Sequence, residues 1–136
     1  LQEPTDAVVS MRGSVYWAGG TKLRCENQHK QSIDVDWEDG PNPVQILLQM
    51  VAACSIVDVV TGLKNREFGN VWIDMDSERR EEQPRSFTKM HFVYNVEGDV
   101  PEKLVRRTIE KSHEKYCSVS NTINDKVDIT WDLILH

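Results

Sequence analysis

A chain of 136 residues has room for one hydrophobic core of ordinary size, so a single domain over residues 1–136 is expected. With 39% hydrophobic and 28% charged residues and no low-complexity tract, it falls in the globular rather than the disordered class. The balance of 16 Lys and Arg against 22 Asp and Glu leaves a formal charge of -6, which repels phosphate backbones and argues against nucleic acid as a partner.

Residues 7–17 mix β-branched and aromatic side chains and stop at Gly19-Gly20, the pattern of a strand followed by a turn. Residues 21–25 and 32–36 are shorter strand candidates, so the chain is expected to open with an antiparallel meander. The run Glu38-Asp39-Gly40-Pro41-Asn42-Pro43 is a loop by its turn chemistry, with Asn42 placed to cap a helix whose first residue is Pro43. That helix is expected over residues 43–66, ending near Gly69. Its apolar residues occupy nearly every face, which predicts enclosure on most sides. The most apolar stretch, residues 46–60, is shorter than the about 20 residues of a bilayer span and carries Gln49 and Asp58, so no membrane partner is expected. The opening residues 1–6 show neither a basic start nor an apolar run, so no secretory leader is expected.

Val71, Ile73 and Met75 alternate with polar residues, as do Met90, Phe92, Tyr94 and Val96; the two strands flank a charged turn at residues 77–84. Pro101-Glu102 then starts a second helix, with Leu104, Val105, Thr108, Ile109 and Ser112 on its inner face and Cys117 closing it. Residues 127–135 alternate Val127, Ile129, Trp131, Leu133 and Leu135, so a strand ends the chain. The order βββ-α-ββ-α-β with a long central helix defines an α+β fold.

Cys25, Cys54 and Cys117 are odd in number and widely spaced, which suits a reducing, cytoplasmic compartment. Without a CxxC or a pair of His at ligand spacing, no metal is expected. Cys54 sits among Ala52, Ala53 and Ser55, small neighbours that let backbone or a small substrate approach the sulfur. A buried cysteine ordinarily packs as a small hydrophobe. A second thiol at Cys117, flanked by Tyr116 and Ser118, changes the case. Peroxide reduction through a disulfide needs one thiolate to attack the O–O bond and another thiol to resolve the sulfenic acid.

The stretch Gly40-Pro41-Asn42-Pro43 with the helix segment Ala52-Ala53-Cys54-Ser55-Ile56-Val57-Asp58-Val59-Val60 resembles the central helix of OsmC-like proteins. Ser77-Glu78-Arg79-Arg80-Glu81-Glu82, Pro84, Phe87 and Glu114-Lys115-Tyr116-Cys117-Ser118-Val119 extend the resemblance over residues 13–133. It is nearest to a branch distinct from the organic hydroperoxide resistance proteins and from OsmC proper. The resemblance implies an intertwined homodimer and thiol-dependent hydroperoxide reduction in oxidative stress defence. In that reading Cys54 is peroxidatic and Cys117 resolving, the reductant is a dithiol such as a lipoylated protein, and no cofactor is bound.

Two features depart from the family pattern. Members carry a Glu directly after the Pro of the helix start, or one place later, where this chain has Val44 and Gln45. Gln45 can hydrogen-bond in a site as an amide but is no carboxylate. Members also draw an Arg from the preceding loop, where Trp37-Glu38-Asp39 offers acids. Arg24, beside Cys25, is the first candidate for a replacement cation from the partner subunit, ahead of Arg12, Lys22 and His29. The Arg-rich hairpin tip reads as solvated charge, His113 as a residue that suits a helix C-terminus, and Cys25 as structural or incidental. Against the thiol peroxidase acting on small or organic hydroperoxides stand a noncatalytic dimeric protein holding a small hydrophobic ligand and, third, a purely structural thiol pair.

Overall fold

A computed structural model describes residues 9–136, which divide into two compact units, residues 9–46 and 47–136. The first is an antiparallel meander of β1 (Gly13–Trp17), β2 (Lys22–Asn27) and β3 (Ser32–Asp36). Gly19 and Gly20 turn β1 into β2 at φ values of 95° and 58°, conformations costly for other residues, and the Trp17 indole N–H donates to the Gly20 carbonyl at 2.9 Å. The first strand is shorter than expected from residues 7–17. Its pairing stops where Gly13 meets Asn27, the last residue of β2, and residues 9–12 find no strand partner. Residues 7 and 8 lie outside the described residues.

The long helix α1 (Pro43–Gly62) begins as expected. Asn42 and Gln45 close a reciprocal capping box: the Gln45 N–H donates to Asn42 Oδ1 at 2.9 Å, and the Asn42 N–H donates to Gln45 Oε1 at 3.1 Å. The helix stops short of residue 66. Beyond Gly62 the backbone shifts to tighter turns, with Lys64 N–H bonded to the Thr61 carbonyl and Arg66 N–H to that of Leu63. A Cβ at Gly62 would stand 2.8 Å from Thr108 Cγ2, so glycine permits the close approach of the next helix.

In the second unit, β4 (Val71–Arg79) and β5 (Phe87–Val96) form the expected hairpin, but β4 runs on through Ser77 and Glu78 and bulges at Glu78/Arg79 before turning. The last strand, β6 (Asp128–Leu135), lies parallel to β5, giving the order β4-β5-β6. A parallel pair needs a crossover. It consists of α2 (Glu102–Lys111), a π-helical turn (Ser112–Tyr116) and a short α3 (Ser118–Thr122). Cys117 therefore does not close the second helix: the wide turn ends α2 earlier, and Cys117 becomes the N-cap of α3, a helix the sequence did not reveal.

Val105 and Ile109 of α2, Val59 and Val51 of α1, and Met90, Phe92, Tyr94 and Val96 of β5 make a core with no solvent exposure. Enclosure of α1 is one-sided within this chain. Val51, Ala52, Ser55 and Val59 are buried, while Val57 is 60% and Met50 46% exposed. At 20 residues, with a window of mean hydropathy 1.9, α1 is also long and apolar enough to cross a membrane by length and composition. Length therefore does not separate it from a span, contrary to the estimate from residues 46–60. Its Ser55 and Asp58 hydrogen-bond instead to the elements packed on it.

Candidate thiol site

Cys54 projects from α1 and Cys117 caps α3, and the Cys54 thiol is near enough to Cys117 to act on its ionisation. Cys117 is fully buried and Cys54 partly so; both are free thiols. The Cys117 sulfur accepts the Ser120 N–H at 3.3 Å, the cap bond of α3, and lies 3.9 Å from the Val51 carbonyl, one turn before Cys54. Sequence spacing brought neither contact to light. The π-turn does so, by carrying the chain from α2 back over α1. Burial pushes the Cys117 thiol up from its ordinary value; the Ser120 hydrogen bonds oppose the shift and the adjoining Cys54 thiol adds to it.

A second group of residues, all polar and all missed as site candidates, lies in the same unit, with Ser55, Tyr94 and Ser112 fully buried and Asp58 and His113 partly so. Ser55, the residue after Cys54, stands 2.5 Å from the Tyr94 hydroxyl and 2.9 Å from the Ser112 hydroxyl. Ser112 donates to Asp58 Oδ2 at 2.7 Å, and the Tyr94 oxygen is 2.6 Å from His113 Nε2. His113 is stacked on Phe92 with ring centroids 6.1 Å apart, and its Nδ1 is buried with no hydrogen-bond partner. Leaving such an atom unpaired costs about 1–3 kcal/mol. Burial holds the His113 ring below its ordinary value against the attraction of Asp58, so it is neutral near pH 7. Burial likewise drives the Tyr94 hydroxyl well above the usual phenol range, and its pairing with Ser55 only partly offsets this. The sequence did carry a signal: Ser55 and Asp58 are three residues apart on a mostly apolar helix, which puts both on one face.

The other sequence-derived candidates lie in the first unit. Gln45 spends its amide oxygen on the cap of α1. Arg24, on β2, has a half-exposed side chain 3.7 Å from Glu26. Cys25 is on the same strand, paired across to Val15 and Ile33.

The family model for OsmC-like proteins matches residues 36–132. The chain belongs to the OsmC-like family. Its curated relatives include YhfA of Escherichia coli K12, 33% identical over 126 residues that cover 88% of this chain and 94% of that protein. Among solved structures, a hypothetical protein of Aquifex aeolicus VF5 superposes with a TM-score of 0.82 at 26% identity, covering 95% of this chain and 99% of that one. The organic hydroperoxide resistance protein OhrB of Bacillus subtilis shares the fold at a TM-score of 0.65 and 19% identity, covering 94% of this chain and all of that one. The OsmC-like fold expected from the motifs around Cys54 and Cys117 is thus the fold of this chain.

Proposed function

We propose that this OsmC-like protein is a two-cysteine hydroperoxide reductase of the cytoplasm, acting as a single-domain homodimer. The observation that carries the reading is that the helix-borne Cys54 thiol neighbours the buried Cys117 thiol closely enough to push its pKa up. The Cys54 thiolate attacks the hydroxyl oxygen of the hydroperoxide, forming the S–O bond of a sulfenic acid as the O–O bond breaks, and the alkoxide takes a proton from water to leave as the alcohol. Cys117 then attacks the sulfenic sulfur, an S–S bond forms and water leaves. A dithiol, small or carried on a lipoylated protein, takes up the disulfide and restores both thiols. Partial exposure of Cys54 beside full burial of Cys117 supports this division of roles, since the attacking sulfur must meet substrate and the resolving one need not. Arg24 is the proposed cation for the thiolate, supplied by the second subunit; its weak pairing with Glu26 leaves the guanidinium available.

The dimer is supported by apolar surface that the chain leaves open: Val57 and Met50 on α1, and Val15, Trp17 and Ile33 on the meander. The test of function is consumption of an organic hydroperoxide with dihydrolipoamide as reductant. The parent should turn over repeatedly, Cys54→Ser should lose all consumption, and Cys117→Ser should consume about one equivalent and then stall, its sulfenic acid lacking a partner. If neither substitution changes the rate, the thiol mechanism is wrong. No consumption by the parent itself would favour a noncatalytic protein that binds a small apolar ligand at the exposed flank of α1.

A further inference from the structure

The helix α2 and its π-turn sort their charges by sign. Lys103, Arg107, Lys111 and Lys115 recur at every fourth residue, while Glu102, Glu110 and Glu114 each stand one place before a member of that series. An exposed helix gains stability from opposite charges four residues apart, and Glu102 with Arg106 forms such a pair at 3.6 Å. The basic series does the reverse: like charges follow one another along the helix, an arrangement that costs stability. Among the described residues neither Arg107 nor Lys111 is in an ion pair. Glu110 and Glu114, three residues beyond them, line a different cavity, the one bounded by His113 and Trp131.

Arg107 and Lys111 instead share the wall of a cavity of about 390 Å³ between α1 and α2. Most of that wall is apolar. Thr108 has spent its hydroxyl on the Leu104 carbonyl at 2.8 Å, and its methyl meets α1 where Gly62 has no side chain. Asp58, also in the wall, offsets one of the two positive charges, but its Oδ2 already accepts from Ser112 at 2.7 Å. Tyr116 closes the cavity from the π-turn and holds Lys115 Nζ 5.5 Å from its ring centroid, which sets a third cation at the rim. A positive surplus thus faces an apolar hollow in a chain whose formal charge is -6.

We propose that this cavity binds a small organic anion, a carboxylate or a phosphate monoester. Its oxygens pair with Arg107 and Lys111, and its apolar body lies between α1, α2 and the Tyr116 ring. A guanidinium offers two parallel N–H donors to such a head group, and an ammonium one turn along the helix adds a second charge. The two side chains start about 5–6 Å apart, a gap that one oxyanion can bridge. Apolar walls with a few convergent polar groups are the usual make-up of a small-ligand site, and the volume suits a small ligand. A bound anion would also relieve the like-charge repulsion along α2. The site uses neither thiol and stands apart from the reductase reading.

The test is calorimetric titration of the reduced protein with sodium hexanoate, hexyl phosphate and 1-hexanol. At least one of the two anions should bind saturably, the tighter naming the head group, and hexanol should bind at least about tenfold more weakly because it has no charge to pair. Arg107→Met and Lys111→Met keep an apolar stem without the charge. Each should weaken the tighter anion about fivefold, the worth of a partly exposed ion pair. Lys103→Met, on the same ridge but outside the cavity, should leave the affinity unchanged. Equal losses at Lys103 and Lys111 would mean diffuse attraction to the ridge and would overturn the site. So would hexanol binding as tightly as the anions, no saturable binding of either anion, or full affinity in both Arg107→Met and Lys111→Met. Hydroperoxide consumption enters none of these readouts, so the reductase can fail while the site stands, and the site can fail while the reductase stands.

Discussion

The two compact units treat their apolar residues in opposite ways. In the meander, Val15 and Trp17 are 67% and 71% exposed and every residue of β1 faces solvent, whereas β5 of the second unit places Met90, Phe92, Tyr94 and Val96 at zero exposure. A three-stranded sheet of so few residues cannot enclose a core by itself. The second unit can, because its sheet is covered on one face by α1 and α2. Apolar side chains buried in the second unit should therefore hold the protomer together, and those exposed on the meander and on the outer flank of α1 should hold two protomers together.

The largest effect expected from this contrast is on assembly. Val57→Lys, on the exposed flank of α1, should convert a dimer to a monomer in sedimentation at micromolar concentration. A dimer that survives the charge would place the interface elsewhere. Next in size is Ile109→Ala in the core, which should cost about 2–5 kcal/mol in urea unfolding, because the packed helix and sheet leave a cavity where the side chain was. A loss below that range would mean that the core of the second unit is looser than its zero exposure implies.

How much of this was legible in the sequence follows the same division. Strand alternation in Val71, Ile73 and Met75 and in Met90 to Val96 reported real buried faces, and β3 and the Asn42 cap of α1 fell where turn chemistry put them. The family and the thiol pair were also visible, since Cys54 and Cys117 sit in recognisable segments. What escaped was set by tertiary contact. The end of α1 at Gly62 answers to Thr108 across the helix pair, and the π-turn that makes Cys117 a cap has no period of its own to read. His113 looked like an ordinary charge for a helix end. Its place against Tyr94 depends on β5, 19 residues earlier in the chain.

Stability should have a plateau in pH set by the second unit. The His113 ring is held below its ordinary 6.5, so the unfolded chain binds the extra proton and stability falls as pH drops below that value. The Cys117 thiol is raised above its ordinary 9.0, so ionisation favours the unfolded chain and stability falls as pH rises past that value. Urea midpoints should be flat between these limits. His113→Gln should remove the acid-side fall and leave the alkaline one, and a fall that persists in the variant would assign it to another group.

The smallest effect is expected at the hairpin tip, where Arg80 is exposed and its recorded tie is a backbone bond from its N–H to the Ser86 carbonyl. Arg80→Ser should change stability by no more than about 0.5 kcal/mol and leave hydroperoxide consumption as it was. A loss of activity there would give the charged tip a part in substrate handling.

The most direct test of the central claim is peptide mapping of the reduced protein after one equivalent of cumene hydroperoxide. The two-cysteine account predicts a single new linkage, an intrachain disulfide between Cys54 and Cys117, with Cys25 still a free thiol. Oxidation that begins at Cys25, or a protein that leaves the hydroperoxide intact with all three thiols reduced, would contradict it.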